Sequence, residues 1–187
     1  ISAPGYMGLV TGTWANKHNV YKNYGISPDY RYWNLFRLAR TEKPELQLAI
    51  FSTWTDNRTI LLGEGRAGAG NWRFDVVVDG LENDETRFPP QPLDAHIAEV
   101  DDAVSREAAR VVESQGPDLS WVYLQYTDVV AHKYGDSVEF ERAVMRMDER
   151  LGTIWSGVQA RQEAHDEDWL VIVTTDHGRD AITGRTH

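Results

Sequence analysis

Hydrophobic residues are distributed along the chain in two patterns, and each pattern predicts one kind of secondary structure. Apolar residues spaced three or four apart predict helices, at 3–16, 32–40, 93–114 and 138–162. Short apolar runs predict strands, at 46–53, 74–78, 119–125 and 169–175. Strands that alternate with helices are typical of an α/β fold with a mostly parallel central sheet and helices on both faces. In such a sheet, functional groups collect beyond the carboxyl ends of the strands.

Composition narrows the class of protein without choosing a function. The 187 residues carry a formal charge of −10, with 41% hydrophobic and 26% charged residues, which favours one folded globular domain. No apolar run approaches the roughly 18 residues of a membrane span. The acidic charge argues against a nucleic-acid duplex as partner and suits a metal cation. The lack of cysteine excludes disulfides, thiolate zinc sites and a cysteine nucleophile.

Polar residues follow the two clearest predicted strands. Asp128 and His132 come after the strand at 119–125, and Asp176 and His177 come after the strand at 169–175. Asp128 and His132 alone have an ordinary interpretation, as a surface pair or a helix cap, whereas Asp176 and His177 are the more telling pair because they and Gly178 directly end an apolar run. Both pairs are expected at the same edge of the sheet, where their oxygen and nitrogen atoms suit Zn²⁺, with Mn²⁺ or Fe as alternatives.

Three further histidines carry weaker signals. His96 and His165 stand among charged residues of predicted helices, which is typical of solvated side chains. His18 lies in a predicted loop and is expected to be structural.

Three segments together resemble the alkaline phosphatase superfamily, and most of all its branch of type I phosphodiesterases and nucleotide pyrophosphatases. The family's nucleophile, a Ser or Thr, stands two residues before a Pro and is followed by Leu/Val-Thr-Gly and a His; Ser2 and the segment to Val20 are similar to this pattern. Residues 128–135 resemble the family's Asp-x-x-x-His-x-x-Gly motif, and residues 175–178 resemble its Thr-Asp-His-Gly motif. The three motifs span nearly all of residues 1–187, and the resemblance implies one metal-dependent hydrolase domain.

The resemblance also implies two divalent metal ions, with Zn²⁺ as the first choice. One would be held by Asp128, His132 and a later histidine, for which His187 is the candidate. The other would be held by Asp176, His177 and an aspartate from a strand upstream of the nucleophile. That aspartate and the later strands of the family are not in the sequence, so the domain is expected to be partial.

The resemblance assigns Ser2 as the nucleophile and Asn23, which follows it by 21 positions, as a ligand of a phosphate oxygen. A hydroxyl is a weak nucleophile unless its pKa is lowered, as a metal does, and a helix that begins near Pro4 would favour an anion at Ser2. The alternative for Ser2 is a helix N-cap. Lys22 and Arg179 lie near these motifs and could contact a substrate, although a solvated charge is the default.

The resulting hypothesis is hydrolysis of a small phosphate ester or nucleotide, by a phosphodiesterase or a phosphomonoesterase, through a phosphoserine intermediate. Phosphonate hydrolysis and a non-catalytic metal-binding domain stay open, whereas a sulfatase would carry Arg where Tyr6 stands. Aromatic residues after Ser2 could stack on a base, but packing is favoured; they are Tyr6, Trp14, Tyr21, Tyr24, Tyr30, Tyr32 and Trp33. The resemblance suggests a periplasmic or secreted protein, and the oligomeric state stays open.

Overall fold

A parallel three-stranded sheet lies at the centre of the computed structural model, which describes residues 1–186. The strands are β1 (Leu48–Ser52), β2 (Val76–Val78) and β3 (Leu119–Tyr123), in the order β2-β1-β3. Ile50 of β1 pairs with Val77 on one side and with Trp121 on the other. The central strand β1 is therefore hydrogen-bonded along both edges.

Six α-helices surround this sheet in the described part of the chain. They are α1 (Ser2–Thr11), α2 (Ala15–His18), α3 (Leu35–Glu42), α4 (Ile97–Gln115), α5 (Tyr126–Tyr134) and α6 (Val138–His165). A π-helical turn at Asn57–Leu61 and 3₁₀ turns at Ala67–Ala69, Leu81–Asn83 and Pro92–Asp94 lie in the connections. Across residues 1–186, every helix is too short or too polar to cross a membrane.

The core forms on both faces of β1, whose residues 48–51 are fully buried. Leu48 and Ile50 pack in a cluster with residues of α1 and α3, whereas Ala49 and Phe51 pack in a second cluster with α4. Successive side chains of a strand point to opposite faces, so this division follows from the pleat. The prediction of a parallel sheet with helices on both faces is confirmed.

Local sequence signals set several helix boundaries. Asn34 accepts a hydrogen bond from the backbone N–H of Arg37, and Ser137 accepts one from that of Phe140, so both residues are N-caps. Gly12 ends α1 with a φ of 64°. The helix predicted over 3–16 is consequently two helices, because the backbone turns at Gly12 before α2 begins.

The predicted strand at 169–175 is wrong for the described chain. Residues 169–175 form no strand, and Leu170 and Ile172 are 85% and 75% exposed. An apolar run becomes a central strand only when neighbouring strands pair with its backbone and helices cover both faces. In the described part of the chain the run borders a cavity beside β3 instead.

Candidate active site

Helix α1 presents Ser2 at its amino end, where the side chain is 8% exposed. The Ser2 hydroxyl oxygen lies 3.2 Å from Nε2 of His177, although the two residues are 175 positions apart. Ile1 occupies the N-cap position, and Ser2 is the first residue of the helix. Ser2 is therefore not a helix cap, and its hydroxyl faces the imidazole that sequence analysis grouped with it.

Gly5 explains how α1 comes so close to Asp176. A Cβ atom at Gly5 would lie 2.4 Å from the carbonyl oxygen of Asp176. Only glycine permits this approach between a helix and a neighbouring backbone. The small residue thus sets the distance between Ser2 on α1 and the Asp176–His177 pair.

The hydrogen bonds of His177 fix which ring nitrogen carries the proton. Nδ1 lies 2.9 Å from the carbonyl oxygen of Gly178, which can only accept, so Nδ1 is the donor. In the neutral ring, Nε2 then has a lone pair, and the Ser2 hydroxyl donates to it. The same Nε2 lies 3.2 Å from Oδ2 of Asp176, a buried oxygen that accepts no hydrogen bond from a described residue. A carboxylate oxygen and a ring nitrogen at this separation are suited to hold a cation between them.

The Asp128–His132 pair has the same arrangement of polar contacts as the Asp176–His177 pair. Nδ1 of His132 lies 2.6 Å from the carbonyl oxygen of Arg185, and its Nε2 lies 3.5 Å from Oδ2 of Asp128. Helix α5 carries both side chains four residues apart, on one face. Both imidazoles therefore donate from Nδ1 to a backbone carbonyl and turn Nε2 towards a carboxylate.

This donor chemistry fits divalent metal ions. Histidines that bind metals commonly donate their other N–H to a carbonyl, and such a bond fixes the tautomer and orients the ring. The orphaned oxygen of Asp176 is a second observation in favour. Within residues 1–186, no three His, Asp or Glu side chains are grouped closely enough to complete a metal site. His187, the third ligand expected for the Asp128–His132 pair, lies outside the described residues.

Asn23 lies next to Ser2, as the family pattern implies. Its Oδ1 accepts a hydrogen bond of 2.8 Å from the backbone N–H of Ala3, which is on the first turn of α1. This bond orients the amide and leaves its NH₂ group as a donor. An exposed amide donor at the first turn of α1 is suited to an oxygen of a phosphoryl group.

Tyr6 is a site residue that the sequence analysis assigned to packing alone. Its ring does pack, on the rings of Trp54, Trp121 and Tyr123. Its place one helical turn after Ser2 also brings it near that side chain, and burial, followed by the charge of Asp176, raises the pKa of Tyr6 above its usual value. Tyr6 thus stays protonated, and the i, i+4 spacing from Ser2 is the signal that could have found it.

Arg179 contacts a predicted metal ligand rather than solvent. One guanidinium nitrogen lies 2.5 Å from Oδ1 of Asp128, and Arg179 also donates to the carbonyl oxygen of Gly184. The expected solvated charge at Arg179 is therefore wrong. Lys22 is exposed and lies over the ring of Tyr24.

The remaining histidines and aromatic residues divide between the core and the surface. His18 is buried, as expected of a structural residue, and burial lowers its pKa. His96 is buried as well, against expectation, and its Nδ1 accepts from the N–H of Gln91. Tyr6 and Tyr30 pack against the hydrophobic core, as expected. The exposed aromatic side chains are those of Trp14, Tyr21, Tyr24 and Trp33.

A cavity of about 540 Å³ adjoins these groups. Its polar lining includes Asp128, Asp176, His177 and Arg179. Most of its other walls come from apolar side chains of β3, α6 and residues 171–173. Asp128, Asp176 and His177 consequently share one cavity beyond the end of β3.

The parallel sheet, with helices on both faces and polar groups beyond the end of β3, defines an α/β domain. The chain belongs to the type I phosphodiesterase / nucleotide pyrophosphatase family, whose sequence model matches residues 1–187.

Solved structures give the same fold. Phosphonoacetate hydrolase from Sinorhizobium meliloti 1021, solved in complex with phosphonoformate and with phosphonoacetate, superposes with a TM-score of 0.53 and 17% sequence identity in both cases. The match covers 82% of this chain and 42% of the hydrolase, so the chain spans less than half the length of that enzyme. No curated protein sequence matches the chain significantly.

Proposed function

We propose that the protein hydrolyses phosphate esters, as a phosphodiesterase or phosphomonoesterase, with Ser2 as the nucleophile. The single observation that carries the proposal is the distance of 3.2 Å between the Ser2 hydroxyl oxygen and Nε2 of His177. The same Nε2 atom also lies 3.2 Å from a carboxylate oxygen of Asp176. Family membership supports the reaction class. Small-molecule phosphate esters or nucleotides are the substrates that this chemistry suits.

Two divalent cations, with Zn²⁺ as the first choice, fit the donor groups. Asp176 and His177 would hold one ion beside Ser2, and Asp128 and His132 would hold the other, with His187 as a further ligand. A bound divalent cation supplies positive charge that stabilises an ionised hydroxyl and the oxygens of a phosphoryl group.

The residues of the chain set up an in-line displacement. The Ser2 hydroxyl gives its proton to solvent and its oxygen attacks phosphorus. The Oγ–P bond forms, the bond from phosphorus to the leaving oxygen breaks, and that oxygen takes up a proton from water to leave as the alcohol. The Tyr6 hydroxyl, one helical turn from Ser2, would donate a hydrogen bond to the ionised Ser2 oxygen, and the amino end of α1 favours its negative charge. The Asn23 amide binds a non-bridging oxygen. Water then attacks the phosphoserine, which breaks the Oγ–P bond and restores the hydroxyl.

Phosphonate hydrolysis is the second candidate. The observation in its favour is the structural likeness to a phosphonoacetate hydrolase. The fold alone does not distinguish the two activities, so they have to be distinguished by measuring turnover of both kinds of substrate.

A comparison of three substrates tests the proposal. p-Nitrophenyl phosphate, bis-p-nitrophenyl phosphate and phosphonoacetate are each incubated with the protein, with and without added Zn²⁺ or Mn²⁺. Release of p-nitrophenol that depends on metal is expected, and the Ser2→Ala variant is expected to lose at least about 1000-fold in rate. Ser27→Ala is the matched control, because Ser27 is an exposed serine in a nearby loop.

Each outcome decides between the alternatives. The preferred p-nitrophenyl substrate separates a phosphomonoesterase from a phosphodiesterase, and phosphate release from phosphonoacetate alone indicates a phosphonate hydrolase. Zinc binding without turnover of any substrate indicates a non-catalytic metal-binding domain. Turnover that survives in Ser2→Ala contradicts the assignment of the nucleophile.

A further inference from the structure

Asp101 is a buried acidic residue of α4 whose bonds reach three other elements. Its side chain is completely buried. Oδ1 accepts a hydrogen bond of 2.7 Å from the hydroxyl of Thr53, just past the end of β1. Oδ2 lies 3.4 Å from a guanidinium nitrogen of Arg150 on α6. A carboxylate buried at this depth is retained only where its oxygens are well paired.

The remaining bonds of Asp101 go to the beginning of α5. Oδ1 accepts from the backbone N–H of Gln125 at 2.9 Å, and Oδ2 accepts from that of Tyr126 at 2.8 Å. Gln125 is the N-cap of α5, and its own side chain makes no capping bond. Asp101 therefore makes, from α4, the capping bonds that the side chain of Gln125 does not make, and its charge is favourable at that end of a helix.

Helix α5 is the element that carries Asp128 and His132. Asp128 lies two residues after Tyr126, within the first turn, and His132 follows one turn later. A shift at Tyr126 would therefore move both side chains relative to Asp176 and His177 on the facing segment. Held between Thr53 and Arg150, the Asp101 carboxylate fixes where this first turn begins.

We propose that Asp101 is a positioning residue, which anchors the first turn of α5 and so sets the placement of Asp128 and His132 for metal binding. This inference rests on the proposed function. Asp101 lies outside the carboxylate–imidazole pairs themselves and acts through the backbone of α5. Residues that orient metal ligands typically change metal affinity by about 10- to 100-fold when they are replaced.

Asp102 offers a matched control on the same helix. It pairs with Arg146 and Arg150 of α6, at 2.5 and 2.7 Å, and its carboxylate bonds go to these arginines of α6 rather than to α5. Asp101→Asn and Asp102→Asn each remove one negative charge from the α4–α6 contact. Only Asp101→Asn places an amide NH₂ group where a backbone N–H of α5 or the Thr53 hydroxyl now donates.

The experiment compares zinc affinity and amide hydrogen exchange in the wild type and in these two variants. Zinc affinity is measured by competition with a chelating dye. Asp101→Asn is expected to lose about 10-fold or more in affinity, and the amides of residues 125–128 are expected to exchange faster. Asp102→Asn is expected to keep the wild-type affinity and the wild-type exchange at 125–128, even if its melting temperature falls.

A second variant covers the case in which Asp101→Asn does not fold. Thr53→Val keeps the shape of the side chain, removes one donor to Oδ1 of Asp101, and is expected to give a smaller change in the same direction. Wild-type affinity and exchange in Asp101→Asn, or in Thr53→Val if only that variant folds, would overturn the positioning role alone. Failure of the wild-type protein to bind zinc would instead overturn the metal-dependent function.

Discussion

The two imidazoles of the site share one local chemistry. His132 and His177 each place Nδ1 against a backbone carbonyl, of Arg185 and of Gly178, and each turns Nε2 towards a carboxylate oxygen. The carbonyls fix the tautomers, since a carbonyl oxygen cannot donate. This repeated arrangement favours a shared role for the two histidines.

Tyr6 is expected to contribute to catalysis through its hydroxyl rather than its ring. Tyr6→Phe keeps the aromatic packing and removes the hydroxyl that is proposed to donate to the ionised Ser2 oxygen. A hydrogen bond to a charged oxygen contributes about 1.5–3 kcal/mol, so kcat/KM is expected to fall about 10- to 100-fold. Steady-state kinetics on the preferred phosphate ester measure the change.

Tyr123→Phe is the control for this prediction. The rings of Tyr123 and Tyr6 pack edge to face, and the proposed donor to the Ser2 oxygen is the hydroxyl of Tyr6, not that of Tyr123. A smaller loss is therefore expected than in Tyr6→Phe. Equal rates for Tyr6→Phe and the wild type would show that the hydroxyl of Tyr6 has no catalytic role.

His18 is expected to make stability depend on pH. Burial lowers its pKa below the usual value near 6.5, so the folded protein binds the proton less readily than the unfolded chain. The free energy of unfolding is then highest above about pH 6.5 and falls as the pH decreases below it. Urea unfolding at pH 7.5 and 5.5 measures this dependence.

His18→Asn separates this effect from other titrating groups. The asparagine Oδ1 can accept from the N–H of Val20 in place of Nδ1, and it has no proton to gain in this range. The variant should lose less stability than the wild type between pH 7.5 and 5.5. Identical losses would mean that His18 does not contribute to the pH dependence.

At the scale of elements, the site depends on the distance between α1 and the segment that carries Asp176. Gly5→Ala would place a methyl group 2.4 Å from the Asp176 carbonyl oxygen, so α1 has to move away. The cost is about 1–3 kcal/mol of stability, and the Ser2–His177 contact is expected to lengthen. A lower melting temperature together with reduced turnover is the expected result.

Gly8→Ala is the matched control on the same helix. A Cβ atom at Gly8 meets its nearest neighbour, the Thr13 carbonyl oxygen, at an ordinary 3.7 Å. Alanine is favoured over glycine within helices by about 1 kcal/mol, so this variant should be as stable as the wild type or more so. Wild-type stability and turnover in Gly5→Ala would contradict the close approach of α1.

The elements themselves were predictable from the sequence to different degrees. The long helices followed from their apolar spacing, and β1 and β3 from apolar runs that the structure pairs and covers. The run at 169–175 has a similar apolar composition, yet it is not a strand, because strand formation depends on neighbours that the run itself does not encode. Tertiary contacts, rather than local pattern, decided this difference.

At the scale of the whole molecule, the carboxyl end of the sheet gathers residues from both ends of the chain. The grouping of Ser2 with Asp176 and His177 was predictable, since the motif order and the rule for parallel sheets place them at one edge. The link from Asp101 to α5 and the Arg179–Asp128 pair were not. Both are long-range contacts of charged residues whose local sequence resembles that of a solvated surface.

The stereochemical course at phosphorus tests the central claim most directly. A phosphodiester analogue with a chiral phosphorothioate centre is hydrolysed in ¹⁸O-labelled water, and the configuration of the product is determined. Attack by Ser2 followed by attack by water inverts the centre twice, so net retention is expected, together with loss of the reaction in Ser2→Ala. Net inversion would show that water attacks phosphorus directly, and would contradict the role of Ser2 as nucleophile.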